Sequence, residues 1–123
     1  MLLHDKLTER LRQLADDLQA DLMRETLNSW HLEIIGGPHR TVLYCDWPET
    51  GCPALQHAEG IPVGRGYGIL CHGQDLFEIA TRKLQLEAVT LGGLFRYRSP
   101  DSDQALEGLR NRVLRPLVWL FSE

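Results

Sequence analysis

Six leucines, Leu3, Leu7, Leu11, Leu14, Leu18 and Leu22, recur at steps of four and three near the start of the chain. At about 100° per residue they fall within an arc of about 100°, the width of a stripe that lays a helix on a core. Asp5, Glu9, Arg12, Asp16 and Asp17 occupy the opposite side, and no glycine or proline interrupts the run. The spacing predicts one amphipathic helix over residues 3–27, stopped at Asn28-Ser29. A one-sided helix gains its stability from packing, so the rest of the chain must supply an apolar surface for it.

The period then changes from helical to two. Trp30, Leu32 and Ile34 alternate with His31 and Glu33, and Val42 and Tyr44 alternate with Leu43, Cys45 and Trp47. Gly36-Gly37-Pro38-His39 lies between the two runs, so they read as two antiparallel strands joined in a hairpin. Residues 48–62 hold three prolines and two glycines without periodicity and read as a long loop. A third strand is expected from Val63 to Cys71, with Gly64, Gly66 and Gly68 on one face. A second helix opens at Gln74 or Asp75, with Phe77, Ala80 and Leu84 on its apolar face. Residues 85–98 fit either a continued helix or a hairpin about Gly92-Gly93. The β-branched Val89 and Thr90 favour the hairpin. Ser99-Pro100-Asp101 is a helix start, and Pro116 should kink or restart that helix near Arg115.

The expected order is α-β-β-β-α-β-β-α. It describes a single α+β domain over residues 1–123: an N-terminal helix, an antiparallel sheet of about five strands and a C-terminal helix. Leucine, with 22 copies, can fill such a core. The formal net charge is -4, and the basic residues are 11 arginines and two lysines. No segment holds the positive field that nucleic acid requires, so nucleic acid is excluded as the main partner. The apolar stretch Leu117 to Phe121 is far shorter than a membrane span, which needs about 20 residues. With no apolar leader after Asp5 and an odd cysteine count of three, a reducing, cytoplasmic location is expected.

Cys45, Cys52, His57, Cys71 and His72 carry the atoms that zinc prefers, which makes zinc the one cofactor to consider. Their spacing, C-x6-C-x4-H and then an adjacent Cys-His, contains no C-x2-C knuckle. Neighbours on a strand also point to opposite faces. The competing reading makes Cys45 and Cys71 small apolar core residues. Cys71 is also a candidate nucleophile before a helix start, with His31 or His39 approaching through the fold.

The glycines at 64, 66 and 68 lie inside a strand rather than in a strand-to-helix turn, so they do not form a dinucleotide fingerprint. They form a flat groove, expected to be covered by Trp30, Trp47 or a terminal helix. Arg96, Arg98, Arg110, Arg112 and Arg115 offer guanidinium forks for carboxylate or phosphate. The plainer reading is a solvated face paired with Glu87, Asp101, Asp103 and Glu107. Leu7, Leu11, Leu14, Leu18, Trp119 and Phe121 are candidate interface residues for a protein partner or a second copy of the chain.

In element order, length and acidic balance the chain is similar to proteins of the type III secretion chaperone-like fold, in which terminal helices flank a five-stranded sheet. That resemblance implies a dimeric binding protein. The expected function is a small cytoplasmic protein-interaction module, an adaptor, chaperone or assembly factor, more in keeping with a non-enzyme than an enzyme. The alternative is a metal- or thiol-dependent site built from Cys45, Cys52, Cys71 and the histidines. A small-molecule pocket between sheet and helices is a third option.

Overall fold

The computed structural model describes residues 3–36, 40–80, 95–100 and 110–121. The expected turn at Gly37-Pro38-His39, the first hairpin strand over 85–91, the helix start at Asp101 and the acids Glu87, Asp103 and Glu107 lie outside these residues. So do the side chains of Arg110 and Ala80.

The leucine-striped helix is two helices, α1 (Leu3–Leu14) and α2 (Ala20–Leu27). The break follows from Asp17. Its carboxylate accepts the Gln19 N–H at 2.8 Å, and its carbonyl accepts the Ala20 N–H at 3.1 Å. A short acidic side chain that competes for backbone N–H groups favours a turn over a helix interior. The break shifts the helical phase. Leu7, Leu11 and Leu14 are buried, while Leu18 is fully exposed and Leu22 half-exposed. In α2 the buried positions become Met23, Thr26 and Leu27. Asn28 then clamps the helix end to the sheet: its side chain donates to the Trp47 carbonyl at 2.7 Å and accepts the Trp47 N–H at 2.9 Å.

Five strands follow: β1 (Trp30–Ile35), β2 (Thr41–Asp46), β3 (Ala54–Ala58), β4 (Tyr67–His72) and β5 (Arg96–Arg98). They form one sheet in the order β3-β2-β1-β4-β5. β1–β2, β2–β3 and β4–β5 are antiparallel. β1–β4 is parallel, with Trp30 opposite Tyr67 and Ile34 opposite Cys71. The α+β class and a five-stranded sheet match expectation; the parallel β1–β4 pair and β3, which lies inside the expected loop, correct the arrangement of its strands. Residues 59–66 carry the chain from the β3 edge across β2 and β1, so β4 arrives alongside β1 without an intervening helix. This path also shortens the expected third strand, because Val63 to Gly66 belong to the crossing.

Helix α3 (Gly73–Ala80) follows β4 directly. It buries Leu76 and Ile79, whereas Phe77, expected on the apolar face, is half-exposed. Near the C-terminus a π-helical turn (Arg110–Leu114) leads into α4 (Arg115–Phe121). The change of helix type falls where Pro116, lacking an N–H, cannot continue a regular ladder. The Trp30 indole donates to the Val113 carbonyl at 3.2 Å, and Arg10 Nε donates to the Trp119 carbonyl at 2.7 Å. These bonds tie the last helix to the sheet and to α1.

Trp30 and Leu32 of β1, Leu43 and Cys45 of β2, and Ile69 and Cys71 of β4 share one sheet face. They pack in one cluster with Leu7, Leu11, Leu14, Leu27, Leu76, Val113 and Leu117. The helices therefore cover a single side of the sheet. Leu7, Leu11 and Leu14 are core residues rather than interface residues, because burying that stripe on the sheet is what holds α1 in place. Trp119 and Phe121 are partly buried against the same cluster.

Candidate binding site

The opposite face of β1 carries His31 and Glu33. Both side chains are 0% exposed. On this outer face, Glu33 lies between Val42 of β2 and Leu70 of β4. Apolar neighbours lower the local dielectric, so a carboxylate there must find partners. Glu33 Oε1 lies 3.0 Å from His31 Nε2 and accepts from Arg98 Nε at 3.1 Å. Arg40 Nη1 lies 3.3 Å from Oε2. That contact is an ion pair without hydrogen-bond alignment, and Oε2 is the buried side-chain oxygen without a hydrogen-bond partner among the described residues.

His31 is held from its other side. Its Nδ1 lies 2.7 Å from the Arg65 carbonyl, which the crossing segment 59–66 brings over the outer face. One imidazole nitrogen thus meets a carbonyl and the other a carboxylate. The Arg65 guanidinium stacks 4.7 Å from the Tyr44 ring centre and lies 3.9 Å from Asp46.

The ring needs space that β4 provides. A Cβ placed on Gly68 would fall 2.2 Å from the His31 carbonyl oxygen and 2.7 Å from its Nδ1. The glycine groove is therefore filled by His31 at Gly68. At Gly66 the neighbour is Pro100, 3.2 Å from where a Cβ would sit. Trp30 and Trp47, expected over this groove, belong to the core on the other side of the sheet.

The thiol and imidazole candidates are dispersed. Cys45 and Cys71 are buried on the helix side. Cys71 pairs with Ile34, while Cys45 lies beyond Tyr44 at the Trp30 end of β1. They are roughly 13 Å apart along the strand direction. Burial pushes both thiols up to about 12, so both stay protonated at neutral pH. Cys52 is exposed in the loop before β3. His57 stacks on His4 of α1 at 5.3 Å, and His72 is exposed at the end of β4. Among the described residues no three His, Cys, Asp or Glu side chains are placed to hold a metal ion.

The site centres on residues that alternation had placed on the side away from the core, His31 and Glu33, together with Arg40. The available signal was a charged residue between Leu32 and Ile34 in the strand that became central. Of the arginines expected to bind anions, Arg98 reaches the site, and Arg96 shares its strand and face. Arg112 instead stacks on Tyr67 at 5.2 Å.

Two solved structures share this architecture. One is the solution structure of a conserved hypothetical protein from Thermus thermophilus, described as possibly a sterol carrier protein. It is 13% identical with a TM-score of 0.54, over 98% of this chain and 86% of that one. The other is described as a UbiJ-SCP2 ubiquinone synthesis protein, 13% identical with a TM-score of 0.52, over 95% of this chain and 91% of that one. The fold is SCP2-like. No family model matches the sequence, and no curated protein matches it. The SCP2-like sheet contains the parallel β1–β4 pair and so departs from the all-antiparallel sheet expected alongside the type III secretion chaperone-like resemblance.

Proposed function

We propose that this chain is a non-enzymatic binding module that takes an apolar, lipid-like ligand between the sheet and its helices, as a carrier or an assembly factor. The observation that carries this reading is the SCP2-like fold over nearly the whole chain, one match being described as possibly a sterol carrier and the other as a ubiquinone synthesis protein. The helix side supports it chemically. Its cluster is apolar, and partly buried Ile34, Leu55, Tyr67, Trp119 and Phe121 pack around it. Such a layer suits a hydrocarbon better than a polar substrate. Among the described residues no helix is long and apolar enough to cross a membrane. The same reading places the chain in the cytoplasm, working with a protein partner or a second copy of itself.

The test is ligand binding by delipidated protein. A fluorescent fatty acid should bind saturably and be displaced by a sterol or an isoprenoid quinone. Absence of saturable binding for all three overturns the reading.

A further inference from the structure

On the outer face, a single buried carboxylate gathers more positive charge than it needs. One guanidinium would neutralise Glu33, yet both Arg98 and Arg40 reach it. A guanidinium carries five N–H donors in a rigid fork. Arg98 presents Nε to Glu33, which leaves its two terminal amino groups. Arg40 meets Oε2 through one terminal nitrogen and without hydrogen-bond alignment. Their side chains are 47% and 45% exposed, and among the described residues nothing else engages their remaining donors.

Arg96 extends this surface. It pairs with Leu70 while Arg98 pairs with Gly68, so the two arginines share one face of β5, about 7 Å apart. Arg96 is exposed, and among the described residues no ion pair engages it. In a chain of formal net charge -4, this is a local positive field that concentrates anions.

We propose that Arg40 and Arg98, seated on the buried Glu33–His31 pair, form a phosphate-binding site on the outer face of the sheet, with Arg96 at its rim. Glu33 acts as the anchor. It holds Arg98 by a hydrogen bond and Arg40 by an ion pair, so less side-chain entropy is lost when an anion arrives. Phosphate oxygens accept from such forks in pairs, which gives both strength and orientation. The site lies across the sheet from the apolar layer and does not depend on lipid binding there.

Calorimetric titration with inorganic phosphate and pyrophosphate, at constant ionic strength, tests the proposal. Saturable binding is expected, and Arg40→Gln should weaken it about tenfold through loss of charge-assisted hydrogen bonds. Arg96→Gln should weaken it less, and Arg12→Gln, on exposed α1 surface, should leave it unchanged. Because Arg98 hydrogen-bonds the buried acid whereas Arg40 meets it through an ion pair alone, Arg40→Gln and Arg96→Gln carry the test, with thermal melting confirming that each is folded. A second arm compares phosphatidylcholine vesicles with and without phosphatidic acid. Binding to the acidic vesicles alone, lost in Arg40→Gln, supports the site and assigns the phosphate to a lipid headgroup. No saturable binding in either arm overturns the proposal, as does equal weakening by Arg12→Gln. Fatty-acid binding measured on the same variants should not change, so the two readings fail separately.

Discussion

Along β1, Trp30 and Leu32 point to one side of the sheet and His31 and Glu33 to the other, and all four are buried. On the helix side burial is shared among many leucines, and each methyl group contributes a little. On the outer side burial depends on two hydrogen-bonded contacts and one ion pair to a single carboxylate. Equal burial therefore implies unequal tolerance. The apolar side should lose stability in proportion to the volume removed. The polar side should fail when one geometry is lost, because a charge or dipole is left without a partner.

The sharpest test of that contrast is Gly68→Val. A Cβ there meets the His31 backbone and ring at once, so a loss of more than about 4 kcal/mol is expected. Chemical denaturation should find the variant largely unfolded, whereas Gly60→Ala, with open space around it, should behave as the parent does. Leu11→Ala on the helix side should cost about 3 kcal/mol by transfer and cavity terms, read from the shift in denaturation midpoint. Were its cost near zero, the helix-side layer would not be close-packed.

Removing both Arg40 and Arg98 as alanines leaves Glu33 buried with His31 alone. Since both arginines are about half-exposed, the expected cost is reduced to about 2 kcal/mol. The diagnostic feature is partial recovery when Glu33→Gln is added, because the uncompensated charge is then gone. An additive triple variant would mean that the arginines act through packing alone.

The helix-side thiols give a smaller effect with a defined direction. Cys45 and Cys71 are raised from 9.0 to about 12 by burial. The fold therefore keeps both protonated, while the unfolded chain releases these protons first. The thiols' contribution to stability should be constant below about pH 9 and fall from there towards pH 12, and Cys71→Val should flatten part of that decline. At pH 8, mass spectrometry after brief alkylation should find the label on exposed Cys52. The smallest effect is expected from Leu18→Ser, which should leave the melting temperature unchanged because the turn between α1 and α2 holds this side chain in solvent.

Much of the helix side was legible in the sequence. The leucine stripe named Leu7, Leu11 and Leu14 as apolar contacts, and strand alternation placed Trp30, Leu32 and Ile34 on a common face. Where that reading failed, local chemistry had outweighed periodicity. Asp17 captured a backbone N–H and ended α1, which sent Leu18 outward. β3 escaped notice because Ala54–Ala58 alternates weakly and sits between prolines.

The sequence by itself determined the α+β class, the two changes of period and the apolar layer. Those properties follow from which side of its own element each residue occupies. The parallel seating of β4 and the burial of Glu33 were decided only in three dimensions. Periodicity assigns a face but cannot say what will cover it. His31 is met by the Arg65 carbonyl, carried over the sheet by the crossing segment, and Glu33 by Arg98, 65 residues along the chain.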